Sequence, residues 1–111
     1  MRKKIAYKIG FEDGEVIGYS RSNNQFIATV KTWNDIELTI TFQDAIGIAD
    51  YGAWSISAFV EEDSSSTFME RTLLEAYDLL PDEHQYNLYQ FLNLDGKPSF
   101  EIVAQSLSIS D

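Results

Sequence analysis

The strongest constraint on the fold is a pair of long apolar-rich runs between Gln85 and Ser110, which flank the tetrapeptide Asp95-Gly96-Lys97-Pro98. Asp-Gly between two strand-like runs is a strong hairpin signal, because glycine accepts a positive φ without steric cost and the nearby proline fixes the chain's exit. The sequence therefore predicts a long β-hairpin with strands at about 86–94 and 99–109.

The apolar pattern changes phase within each arm of this hairpin. On the second arm it moves from Phe100 and Ile102 to Leu107 and Ile109, and the first arm changes in the same way. A half-exposed strand keeps one phase. Either each arm carries a bulge, or the helix covers one face of the hairpin and the remaining strands cover the other. Both interpretations place the hairpin in the middle of the fold.

Five further strands are predicted where apolar residues alternate with polar or small ones. The turn signals Asp13-Gly14 and Asn34-Asp35 indicate hairpins, the second of them a central hairpin over 25–43. In the last of the five strands Trp54 shares the phase of Ile56, which predicts a core position, and Phe59 falls at a partly covered edge. The five strands lie at about 4–11, 15–20, 25–32, 36–43 and 53–61. Residues 44–52 are compatible with a short strand or a packed loop.

One amphipathic helix is predicted at 68–80. Thr67 and Glu70 have the spacing of a capping box, an apolar face follows, and Pro81 ends the run. Short connections favour antiparallel pairing of neighbouring strands. The predicted fold is therefore a single α+β domain of 111 residues, mainly antiparallel, with about seven strands in a curled sheet or a two-layer sandwich.

The net charge of −10 is unevenly distributed along the chain. Residues 1–31 carry six basic and three acidic groups, hence +3, whereas residues 32–111 carry only Arg71 and Lys97 against fifteen carboxylates, hence −13. Nucleic-acid affinity comes mainly from lysine and arginine on phosphates, so this balance argues against nucleic-acid binding. The acidity has two open interpretations, solubility alone or a docking surface for a basic protein.

The candidate partner-binding residues combine an aromatic side chain beside a turn with clusters of carboxylates. Tryptophan dominates binding hot spots because it buries a large area and keeps a polar group available. The candidates are Trp33, Glu61, Glu62, Asp63, Asp82 and Glu83.

No catalytic, cofactor-binding or metal-binding residue is predicted. The chain has no cysteine, its single histidine is His84, and it has no glycine-rich phosphate loop or nucleophile elbow. The Asn93-x-Asp95-Gly96 stretch fails as a calcium loop, because Phe91 and Ile102 would stand where carboxylates are required. We therefore expect a non-enzymatic domain. The alternative is a small-ligand-binding protein, or an enzyme that uses carboxylates or a metal in a pocket of the sheet.

Location and assembly also follow from the pattern of residues. The chain has no apolar run near the roughly 20 residues that a membrane span needs, and Met1-Arg2-Lys3-Lys4 leads into an alternating segment rather than a signal peptide. We expect a soluble cytoplasmic protein that does not bind membranes. An open sheet leaves edge strands, and pairing of one edge with a second copy predicts a homodimer.

The series of short strands with one helix, on an acidic chain without cysteine, resembles the small immunity and accessory proteins encoded beside bacterial toxins. The resemblance implies a bacterial protein that binds and blocks a toxin through an acidic face. It rests on size, charge and layout rather than on a motif, so no functional residue is carried over.

Overall fold

The computed structural model describes residues 2–52, 54–62, 66–81 and 83–111. These residues form an α+β fold dominated by antiparallel strands, as predicted, but with ten strands rather than about seven. The elements are β1 Arg2–Lys4, β2 Gly14–Ser22, β3 Gln25–Lys31, β4 Glu37–Gln43, β5 Gly47–Asp50, β6 Ser55–Ile56, β7 Ala58–Glu62, α1 Thr67–Tyr77, β8 Asn87–Leu92, β9 Pro98–Ala104 and β10 Ser106–Ser110.

The strands form two five-stranded sheets that pack face to face. Sheet A has the order β1-β7-β8-β9-β5, and sheet B has the order β10-β4-β3-β2-β6. Between them Phe42 of β4 lies 5.4 Å from Tyr89 of β8 and 6.1 Å from Phe59 of β7, measured between ring centroids. This is the two-layer alternative of the prediction, and β3 and β4 form the expected central hairpin.

The β8–β9 hairpin lies in the middle of sheet A and is buried on both faces. Phe91 and Phe100 point into the core between the sheets. On the opposite face Leu88 and Val103 pack against α1. The hypothesis of a hairpin covered on both sides is therefore confirmed, and the pairing also has a register irregularity at Phe91/Leu92.

The predicted single strand at 99–109 is wrong, because the chain changes sheets within it. β9 ends at Ala104 in sheet A, and β10 begins at Ser106 in sheet B. At the junction Gln105 donates its backbone N–H to the Gln43 carbonyl at 3.0 Å. The change of apolar phase in this arm therefore marks a strand that passes from one layer to the other.

The predicted first strand at 4–11 is also wrong. β1 covers only Arg2–Lys4 and pairs with β7 rather than with β2. The side chains of the following segment still alternate in burial, with Ile5, Tyr7 and Ile9 packed on the core and Phe11 buried within it. The alternation thus predicted which side chains face the core but not the pairing of the backbone.

The predicted strand at 53–61 is divided at Ser57 into β6 in sheet B and β7 in sheet A. This division reverses the phase, so Phe59 is 2% exposed in the core whereas Trp54 is 40% exposed. Both predictions for these side chains are therefore wrong. The ambiguous stretch 44–52 contains a strand, β5, which pairs with β9.

Helix α1 is shorter than predicted at its C-terminal end. Its N-cap is Ser66 rather than Thr67, since the Ser66 hydroxyl accepts a hydrogen bond from the Met69 N–H at 3.1 Å. It ends at Tyr77, because Asp78 takes a left-handed φ of 66° and donates its N–H to the Leu74 carbonyl. The helix therefore ends three residues before the predicted boundary at 80.

Truncation in the central hairpin tests its position in the core. We expect Phe100→Ala or Ile102→Ala to lower the free energy of unfolding by about 2–5 kcal/mol, because each removes a large side chain from a site at most 1% exposed. Urea unfolding measures the change. Leu94→Ala is the matched control, since Leu94 is 91% exposed. A loss below about 1 kcal/mol in both core variants would place the hairpin at the periphery.

Candidate binding groove

A groove of about 600 Å³ opens between the segment after β1 and the turn that joins β3 to β4. Its volume lies in the range typical of ligand pockets. Most of its walls are apolar or aromatic. They include Ile5, Ile9, Phe11, Trp33, Ala58 and Phe59.

The floor of the groove is part of the aromatic core. Phe59 stacks on Phe91 of β8 with ring centroids 4.4 Å apart, and Phe11 meets Phe59 edge to face at 5.1 Å. Such pairs hold their rings in defined orientations. The rings at the bottom of the groove are therefore held in place by packing against the middle of sheet A.

Trp33 forms one wall of the groove and is 65% exposed, the exposed position that its place beside a turn predicted. The turn is held by backbone hydrogen bonds from Thr32 to the Ile36 carbonyl at 2.8 Å and from Asp35 to the Thr32 carbonyl at 3.0 Å. The Thr32 hydroxyl also accepts the Ile36 N–H at 3.1 Å. An ordered turn thus carries a large indole that remains largely uncovered.

A second depression of about 350 Å³ adjoins the groove and shares Asp13 and Trp33 with it. Its walls are mostly polar, and they include Glu15, Lys31 and Asp35. Lys31 pairs with Asp35 at 3.3 Å. Asp13 and Glu15 have no ion-pair partner within the described part of the chain. We call these two side chains the carboxylate rim.

The turn before β2 brings the carboxylate rim next to Trp33. Asp13 takes a left-handed φ of 61°, and Gly14 donates its N–H to the Phe11 carbonyl at 3.1 Å. A Cβ atom on Gly14 would stand 2.9 Å from the Lys31 carbonyl oxygen. Glycine is therefore needed for this turn to approach β3 so closely.

The predicted acidic candidates with described positions do not line this groove. Glu61 and Glu62 are neighbours on β7, where Glu62 accepts a hydrogen bond from the Arg2 guanidinium at 2.9 Å. Glu61 lines a third depression of about 430 Å³, which borders the groove through Lys4, Ile5 and Ala6. Glu83 is exposed in the segment before β8. Asp63 and Asp82 lie outside the described residues.

The sequence analysis did not select the carboxylates around Trp33. Asp13 and Glu15 belong to residues 1–31, whose net charge is +3, and Asp35 lies just after them. Asp13 is part of one turn signal, Glu15 follows it directly, and Asp35 is part of another. The Asp13-Gly14 and Asn34-Asp35 turns were both recognised in the sequence. What the sequence did not show is that the two turns meet in space beside Trp33.

A buried polar cluster lies on the outer face of sheet A. The Glu101 carboxylate accepts hydrogen bonds from the Tyr51 hydroxyl at 2.6 Å and from the Gln90 amide at 3.0 Å. Desolvation, followed by the hydrogen bond to Glu101, raises the pKa of Tyr51 to about 12. Glu101 is the one buried carboxylate in the described part of the chain. Both of its oxygens are engaged by protein groups, which makes the cluster structural.

His84 is exposed, and its Nδ1 accepts the Tyr86 N–H at 3.1 Å. Among the residues with described positions, no cluster of three or more histidine or acidic side chains is arranged to hold a metal ion. No helix in the same set is long and apolar enough to cross a membrane.

Comparison of the chain with protein families, with curated proteins and with solved structures found no match. The resemblance to immunity and accessory proteins therefore stays a prediction, and the function is argued from the groove itself.

Alkaline titration tests the Tyr51–Glu101 contact. The raised pKa means that the neutral phenol stabilises the fold fully below pH 10.0, and that this stability is lost as the pH rises through about 12. We expect the free energy of unfolding to fall over that interval, and to fall less steeply in Tyr51→Phe. Chemical denaturation at a series of pH values measures both slopes. Identical slopes in the two proteins would contradict the assignment.

Proposed function

We propose that this chain is a non-enzymatic protein-binding domain whose Trp33 groove and carboxylate rim dock a basic partner. The observation that carries the proposal is the exposed Trp33 indole, which borders both an apolar groove and two carboxylates that form no ion pair with any described residue.

An exposed tryptophan on an ordered turn has the properties of a binding hot spot. Docking would bury most of its 65% exposed surface, and the ordered turn lowers the entropy that binding costs. The adjoining floor of Phe11 and Phe59 is apolar. An apolar side chain of the partner would therefore be removed from water when it docks there. These contacts would supply affinity.

The charge of the chain supports a basic partner. The net charge of −10 attracts a cationic protein over a long range and accelerates encounter, an effect that salt weakens. Asp13 and Glu15, which pair with no cation among the residues that the structure describes, supply carboxylates at short range. The resemblance to immunity and accessory proteins agrees with the proposal of a basic partner. On that resemblance, the partner would be a basic toxin.

Two further proposals concern the cellular location of the protein and its oligomeric state. The composition without cysteine agrees with a reducing compartment, and we place the protein in the cytoplasm of a bacterium. The edge-paired homodimer also stays a proposal. It is supported by β10, an edge strand of sheet B whose five residues carry no charge.

Affinity capture from the native host with the immobilised protein tests the proposal. We expect the wild type to retain a basic protein at about 0.05 M salt and less of it at about 0.5 M salt. We expect Trp33→Ala to lose that partner and Leu94→Ala to keep it. With the purified partner, calorimetry is expected to show an affinity loss of about 30-fold or more for Trp33→Ala.

Circular dichroism and a thermal melt of each variant provide the folding control. A partner that is not basic, binding that ignores salt, or unchanged binding by Trp33→Ala would each contradict the proposal.

A further inference from the structure

Two adjoining depressions of unlike chemistry share the Trp33 indole as a wall. The larger one has an apolar floor made by Phe11 and Phe59. The smaller one is polar and carries Glu15. Asp13 borders both. A ligand that fills both must therefore offer an apolar group and a cationic group side by side.

The apolar depression suits one large aliphatic or aromatic side chain. With a volume of about 600 Å³ it has room for a side chain of that size, and it opens at the surface beside Trp33. Among the described residues, Lys4 and Glu12 of the groove form an ion pair with each other at 3.8 Å, and both side chains are highly exposed. The favourable contribution there comes from removing apolar surface from water.

The polar depression suits arginine better than lysine. A planar guanidinium carries five N–H donors, which allow it to reach two separate carboxylates, and it stacks on an indole face. Asp13 and Glu15 offer those carboxylates, and Trp33 offers the indole. Lys31 lies directly across from Glu15 in the β2–β3 pairing, but its ammonium forms its ion pair with Asp35 at 3.3 Å rather than with Glu15.

Resting on the proposed function, we infer that the partner presents an extended segment in which a large apolar residue is followed or preceded by an arginine. The apolar side chain enters the groove, and the guanidinium binds the carboxylate rim. Successive side chains of an extended chain point to opposite sides, so an adjacent pair can straddle the Trp33 indole.

Short capped peptides of glycine and serine around one central pair of residues test this inference. The central pairs are Leu-Arg, Leu-citrulline, Ser-Arg and Leu-Lys, of which citrulline is a neutral isostere of arginine. The protein is the Trp54→Phe variant, so that the fluorescence change reports Trp33 alone. We expect Leu-Arg to bind most tightly and each of the other three to bind more weakly, by about fivefold or more for Leu-citrulline and Ser-Arg.

A variant of the carboxylate rim locates the arginine. In Asp13→Asn/Glu15→Gln we expect Leu-Arg to bind no better than Leu-citrulline. The matched control is Glu75→Gln, which changes an exposed carboxylate on α1 outside both depressions and is expected to leave the preference for arginine unchanged.

The outcomes separate this inference from the proposed function. Equal binding of Leu-Arg and Ser-Arg, equal binding of Leu-Arg and Leu-citrulline, tighter binding of Leu-Lys, or no binding of Leu-Arg at millimolar concentration would each overturn the inference. If a basic partner were still captured in a Trp33-dependent way, the proposed function would stand. If no such partner were captured, the function itself would fail.

Discussion

The fold depends on one constraint, which is that the β8–β9 hairpin is buried on both faces. Its inner face packs aromatic rings against sheet B, and its outer face packs Leu88 and Val103 against α1. Backbone groups in such a position cannot turn to water, so each edge of the hairpin must be paired. β7 pairs on one side and β5 on the other. Close contact with the helix also requires Gly47, where a Cβ atom would stand 2.5 Å from the Thr72 side chain.

The same hairpin provides the base of the binding groove. Phe59 is both the floor of the groove and the stacking partner of Phe91, so the apolar surface offered to a partner is continuous with the core. Apart from Lys4 and Ala58, which belong to strands, the other groove residues lie in turns and in the irregular segment after β1. A rigid floor with functional side chains on turns is the usual arrangement of binding sites on β-sandwiches. The stability of the hairpin and the shape of the groove are therefore linked.

Strands with one steady alternation were predictable from the sequence, as β3 and β4 show. The errors arose where the alternation has another cause. In 5–11 the alternating side chains cover the core outside any described strand, and in 53–61 and 99–109 the chain passes between layers. The exposure of Trp33 followed from its turn. The carboxylate rim could not be predicted, because separation along the chain does not show which two turns meet in space.

Because the fold depends on the β8–β9 hairpin, β8 and β9 should be the last strands of the molecule to open. Native-state hydrogen exchange measures this order of opening directly. The amides of Phe91 and Ile102 should exchange only through global unfolding, with a free energy of opening equal to that from chemical denaturation. The amides of the edge strand β10 should exchange with a lower free energy. Exchange of Phe91 and Ile102 as fast as that of β10 would contradict the account.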